Sequence, residues 1–71
     1  MNGIQLQECR KAKGMSQATL SRLLGVTQQA VGKWETGRSN PDPEMLVRLA
    51  AVLGTTTDSL LGLHTGGAEA E

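Results

Sequence analysis

The chain has 71 residues, enough for one small domain with a thin core. Seven Lys and Arg balance seven Asp and Glu, and this zero formal charge argues at first sight against a nucleic-acid partner, whose phosphates attract a basic surface. Phe and Tyr are absent and Trp34 is the only aromatic residue, so a core must come from Leu, Val, Ile, Met and Ala, a composition that favours helices over a small all-β fold.

The first predicted helix covers residues 3–13. Asn2 is its N-cap, with Gln5 three residues on to complete a capping box. Leu6, Cys9, Arg10 and Lys13 recur at helical spacing on one face, and Lys11 and Lys13 suit the negative end of the helix dipole. The second helix, residues 17–24, has Ser16 as N-cap and Leu20, Leu23 and Leu24 as its apolar face, and it stops at Gly25. The third, residues 28–36, is capped by Thr27, turns Val31 and Trp34 inward and stops at Gly37. Gly32 in its interior costs about 1 kcal/mol relative to Ala, which asks for a reason. A polar loop, residues 38–41, leads to a fourth helix with Asp42 as N-cap, Pro43 at its first position and Glu44 near its positive end. Leu46, Leu49, Ala50 and Leu53 form its inner face and Gly54 ends it. Thr55, Thr56 and Thr57 then introduce a short last helix, residues 58–61. The expected fold is all-α, a compact five-helix bundle over residues 1–63, followed by a small, polar, disordered tail over 64–71.

Only Gly25, Val26 and Thr27 separate the second and third segments. Two helices joined by a short glycine-containing turn form a helix-turn-helix. The steep crossing needs a small side chain where the helices touch, which Ser21 provides. Val26 plugs the gap under the turn, and Leu20, Leu24, Val31 and Trp34 close the wedge.

The run SQATLSRLLGVTQQAVGKWETGR, residues 16–38, resembles the Xre/Cro helix-turn-helix family of phage repressors. The likeness extends to Arg10 in the first helix, Asn40-Pro41 in the loop, Leu49-Ala50 through Leu53-Gly54 in the fourth helix, and Asp58-Ser59-Leu60-Leu61 at the end. It covers residues 3–62. Ser21 stands where the family most often has Ala, Thr55 and Thr57 where apolar residues are usual, and Gly32 is uncommon there.

The resemblance implies that the third helix enters the DNA major groove with its N-terminal residues at the base edges. Those residues are Gln28 and Gln29, whose amides match adenine N6 and N7; outside such a motif, exposed glutamines at a helix start merely aid solubility. Lys33, one turn on, shares the exposed face of Gln29 and suits a guanine, a phosphate or plain solvent. Ala30 suits a thymine methyl group. Gly32 is either small to let the helix sit deep in the groove or a drifted position without a role. Phosphate contacts are expected from Gln17 with the free N–H groups of its helix start, from Thr27, from Arg38, and from Asn40, which alternatively braces its own loop. In the resembling repressors the residues at Arg10 and Glu35 form a mostly buried salt bridge. It is expected here as a structural pair fixing the first helix against the third, with a phosphate contact by Arg10 besides.

Nothing in the chain suits catalysis. Cys9 has no partner cysteine, which excludes an internal disulfide and a four-thiolate zinc site. His64 lies far from it, the acids are scattered, and there is no phosphate-binding glycine loop. No enzyme activity, metal, cofactor or small-molecule ligand is expected. No apolar run reaches the ~18 residues of a membrane span and no signal peptide opens the chain, so a cytoplasmic location is expected.

The expected function is a sequence-specific transcriptional regulator, a repressor that binds palindromic double-stranded DNA as a homodimer with half-sites about 34 Å apart. Leu60, Leu61 and Leu63 make the expected dimer surface. The alternative is an antitoxin or accessory module with a protein partner, in which DNA binding is secondary. The neutral charge conceals a division. Residues 1–38 hold Arg10, Lys11, Lys13, Arg22, Lys33 and Arg38 against Glu8 and Glu35, whereas residues 39–71 hold Arg48 against Asp42, Glu44, Asp58, Glu69 and Glu71. The half that carries the motif is the positive one, as DNA binding requires.

Overall fold

Asn2 opens the first helix as its side chain predicts, but a distant residue completes the cap. A computed structural model describes residues 2–61. Asn2 Oδ1 accepts from the backbone N–H groups of Ile4 (3.0 Å) and Gln5 (3.2 Å), starting α1 (Gly3–Ala12). The Gln5 amide does not reach back and lies 4.0 Å from Cys9 Sγ. The Asn2 N–H donates instead to the Leu60 carbonyl at 3.0 Å. A local capping box is thus replaced by a tie between the start and the end of the domain.

The other helices are α2 (Gln17–Leu24), α3 (Gln28–Thr36), α4 (Pro43–Leu53) and α5 (Thr57–Leu61). Ser16, Thr27 and Asp42 each accept the N–H three residues on, at 3.0, 3.1 and 2.8 Å. Such caps satisfy donors that have no partner within the helix. Thr56 does the same for Ser59 at 3.1 Å, which is why α5 begins one residue before its expected start. Gly25 and Gly37 close α2 and α3 with φ of +73° and +80°, the left-handed conformation that side chains other than glycine rarely adopt. Lys13 extends over the end of a different helix from its own. Its ammonium nitrogen would lie 3.1 Å from a Cβ at Gly54, at the negative C-terminal end of α4.

All five helices contribute to one core of Leu6, Leu20, Leu24, Val31, Trp34, Leu49, Ala50, Leu53 and Leu60. Leu23 does not join it: the side chain is 54% exposed. The inner face of α2 is Leu20, Ser21 and Leu24 instead, with Ser21 buried. Its hydroxyl donates to the Ala18 carbonyl at 2.8 Å, so the polar group is satisfied within its own helix and α3 can pack closely against it. The Val26 N–H donates to the Ser21 carbonyl at 3.0 Å, and its side chain packs against the core beneath the turn.

Leu60 does not fit the dimer surface expected of it. It is fully buried in the core of its own chain and has no area to offer a second copy. Leu61 is exposed, and Leu63 lies outside the described residues, as do His64 and the tail at 64–71. Thr55 and Thr57 are half-buried, and α5 is held by Leu60 and by the bond from Asn2.

Gly3 carries a constraint that the sequence pattern does not reveal. The start of α1 lies directly against the end of α3. A Cβ at Gly3 would sit 2.7 Å from the Trp34 carbonyl oxygen and closer still to that of Glu35, both rigid backbone atoms. Gly3→Ala is therefore expected to destabilise the fold by about 1–3 kcal/mol, the usual cost of overpacking. Urea denaturation checks this; an unchanged midpoint would mean that the α1 terminus slides away freely.

Candidate nucleic-acid interface

The glycine turn sets α3 across α2, so that one side of α3 packs inward and the other is left in solvent. Val31 and Trp34 face the core, whereas Thr27, Gln28, Gln29 and Lys33 line the outer side. Gln17 at the start of α2 lies beside them. With Thr27, Gln28, Gln29 and Gly32 it borders a shallow recess of about 350 Å³. A second recess of about 280 Å³ is lined by Gln29, Gly32, Lys33, Thr36 and Arg38. Gln29 and Gly32 belong to both, so the two form one continuous face along α3.

Six of the residues that the sequence points to come together here: Gln17, Thr27, Gln28, Gln29, Lys33 and Arg38. Arg38 joins through its backbone, whose N–H donates to the Lys33 carbonyl at 2.9 Å and folds the loop back over the end of α3. Asn40 is exposed further along the loop and lines neither recess. Ala30, from which a thymine contact is expected, is half-buried, packs against the core and lines neither recess.

Arg10 and Glu35 form the interior support of this face. Arg10 Nε lies 2.6 Å from Glu35 Oε2, and Nη2 donates to Oε1 at 3.2 Å. Nη1 donates to the Met15 carbonyl at 2.8 Å. The two side chains are 9% and 3% exposed. With all three nitrogens engaged and the guanidinium buried, Arg10 is not placed to hold a phosphate, contrary to the expectation from the resemblance. Its role is to lock α1 to α3. The pair carries a third member that the sequence pattern does not announce: Gln17 Nε2 donates to Glu35 Oε1 at 3.0 Å. A residue at the rim of the exposed face is thereby tied to the buried ion pair. The sequence holds one signal for this, the glycine at position 32. A Cβ there would lie 3.8 Å from Gln17 Oε1 and 3.9 Å from Nε2, in ordinary contact with the amide that reaches Glu35.

The chemistry of the face is hydrogen bonding and attraction, not bond making. Two glutamine amides offer paired donors and acceptors, and Lys33 and Arg38 add positive charge. No acid lines either recess, and the nearby carboxylate of Glu35 is neutralised by Arg10. Among the described residues there is no group of three or more His, Cys, Asp and Glu that could hold a metal ion. No helix of the described residues is long and apolar enough to cross a membrane.

A helix docked across another through a glycine turn, with polar and basic side chains along its exposed side, defines a helix-turn-helix protein. The helix-turn-helix family model matches residues 6–60, and the chain belongs to this family, in its Xre/Cro form, a family of DNA-binding transcriptional regulators rather than enzymes. A prophage-derived, uncharacterised HTH-type transcriptional regulator of Bacillus subtilis, YonR, is 45% identical over 65 residues, covering 90% of this chain and 60% of its own length. Repressor protein C2 of Salmonella phage P22 is 32% identical over 59 residues, 83% of this chain and 27% of that protein. The chain thus spans from about a quarter to three-fifths of these two relatives. Two solved structures share the fold. The restriction-modification controller protein C.AhdI of Aeromonas hydrophila superposes with a TM-score of 0.76 at 38% identity, covering 82% of this chain and 88% of that one. SinR, a master regulator for biofilm formation solved in complex with DNA, gives 0.79 at 31% identity, covering 86% and 98%.

Proposed function

We propose that this chain represses transcription by occupying a palindromic operator as a homodimer, with α3 of each copy in the major groove. The observation that carries the reading is the continuous exposed face of α3, where Gln28, Gln29 and Lys33 stand between Gln17 and Arg38 with no acid among them. Gln28 and Gln29 read base edges, each as a bidentate partner of adenine, with Gln29 alternatively donating to guanine. Lys33 reaches a base or a phosphate one turn deeper. Gln17 and the unpaired N–H groups at the start of α2 grip one phosphate; Thr27, Arg38 and Asn40 grip others. Two copies double the contacts, and the half-sites lie about 34 Å apart. SinR, solved on DNA with the same fold, supports this placement by analogy. Leu61 is the part of the expected dimer surface that is both described and exposed.

Titration of a labelled random-sequence duplex at low and at moderate salt tests the proposal. Binding that falls steeply with salt, with two chains per duplex on a site enriched from the pool, is expected. Absence of binding even at low salt would leave the exposed face to a protein partner instead. Arg38 gives a finer expectation. Arg38→Gln frees one phosphate per subunit, so affinity should weaken on every sequence alike, and the slope of log K against log salt should become shallower by about 0.9 for each phosphate freed. A change in the preferred sequence would mean that Arg38 touches a base.

A further inference from the structure

Gly32 is the departure from helix-forming preference on the face that binds, and the fold does not require it. It sits inside α3, where glycine costs about 1 kcal/mol relative to alanine. Its backbone is helical, not left-handed. A Cβ would meet only the end of the Gln17 side chain, at 3.8–3.9 Å, which is ordinary contact distance. Neither backbone conformation nor packing therefore excludes alanine. The missing side chain does shape the surface: Gly32 is shared by both recesses on the exposed side of α3.

The recess bordered by Gln29, Gly32, Lys33 and Thr36 is shallow and open, and its lining is mainly apolar. The Thr36 hydroxyl donates to the carbonyls of Gly32 (3.1 Å) and Lys33 (3.3 Å). Its proton is thus committed to the helix backbone, and Thr36 lines the recess without a free donor. Gln29 and Lys33 add the aliphatic parts of their side chains below their polar heads. Arg38 also lines the recess and brings a positive charge to it. The result is a small apolar hollow within a polar, basic rim. In the major groove one group is apolar and projects from the base edge, the 5-methyl of thymine.

We infer that Gly32 is a specificity-determining position, and that the hollow above it receives the 5-methyl group of one thymine per half-site. The inference rests on the proposed entry of α3 into the major groove. It explains why glycine stands at a position where alanine would strengthen the helix: a methyl group on the protein would occupy the space that a methyl group of the base needs. It also moves thymine recognition from Ala30, which packs against the core, to the gap at Gly32 on the exposed side.

The test uses a duplex recovered by selection with the wild-type chain, in which each thymine is replaced in turn by uracil, removing the 5-methyl and nothing else. Wild-type protein should lose about fourfold in affinity per half-site at one thymine position, the weight of one methyl group removed from water. Gly32→Ala should bind the unmodified duplex more weakly, show no penalty for uracil at that position, and melt no lower than wild type. Uracil tolerated at every position by the wild type, or the same uracil profile in Gly32→Ala, would overturn the assignment while leaving DNA binding itself intact. Failure of the wild-type chain to bind any duplex would remove the groove reading and this inference together.

Discussion

Glu35→Ala is expected to cost about 3–5 kcal/mol, the typical effect of breaking one side of a buried ion pair. The substitution leaves the Arg10 guanidinium, 9% exposed, with only the Met15 carbonyl as a partner. It also strips Gln17 of its acceptor. A domain of this size has a total stability of roughly 4–10 kcal/mol, so the melting temperature should fall by about 15 °C or more, with a measurable unfolded population at physiological temperature. The effect belongs to the orphaned charge and not to the pair as such. Replacing both partners together by apolar residues of similar volume, Arg10→Met with Glu35→Leu, should recover most of the stability. Urea denaturation of the two single variants and the double variant gives the coupling directly. A Glu35→Ala variant that melts like wild type would show that the pair is solvated in solution and that α1 is fixed to α3 by its apolar packing alone.

The second large effect is expected in binding. In the proposed complex, Gln28→Ala and Gln29→Ala each remove one bidentate hydrogen-bonding partner of a base, worth about 1–3 kcal/mol of discrimination, or roughly fivefold to a hundredfold. In a dimer both half-sites are affected, so the combined variant should forfeit most of its preference for the selected site while keeping its salt-dependent attraction to any duplex. Both side chains stand on the outer side of α3 and alanine is the better helix former, so melting should be unchanged or slightly higher. That contrast separates the recognition face from its support: Glu35→Ala acts on folding, the glutamine variants on binding. Equal affinity of the combined variant for selected and random duplexes is the expected measurement. A selected-site preference that survives intact would exclude these glutamines as readers.

Much of the fold was legible because local chemistry agreed with it. Ser16, Thr27 and Asp42 are strong caps, Gly25 and Gly37 are stop signals, and the bounds of α2 and α3 match their spacing. What the sequence did not reveal depends on packing between distant elements. Asn2 is capped from Leu60 rather than from Gln5, because α5 returns to the start of α1. Leu23, placed by its spacing on the apolar face of α2, points outward, whereas Ser21 is buried as the helix crossing requires. Gly3 reads as an ordinary helix start until the α3 carbonyls appear beside it. At the interface, Gln28 and Gln29 were marked by the resemblance to phage repressors and Lys33 by its spacing one turn from Gln29; all three lie on the exposed face. The bond from Gln17 to Glu35 was not legible, because it joins two helices across 18 residues of sequence. Leu60 shows the opposite error: a terminal leucine that reads as an exposed dimer residue closes the core of its own chain.

The division of charge also takes a physical form. Arg10 is withdrawn into the interior with Glu35, while Lys33 and Arg38 remain on the face of α3. Lys33 and Arg38 are the cations that line the two recesses, so in the proposed complex non-specific affinity should be modest and selectivity should rest on base recognition and on pairing two copies.

The most direct measurement of the central claim is selection from random duplexes carried out in parallel with the wild-type chain and the Gln28→Ala, Gln29→Ala variant, followed by sequencing. The wild type should return a palindrome with half-sites about one helical turn, ~34 Å, apart. The variant should return weaker enrichment, with preference abolished at adjacent positions in each half-site. The same motif from both proteins, or no motif from the wild type, would contradict the account.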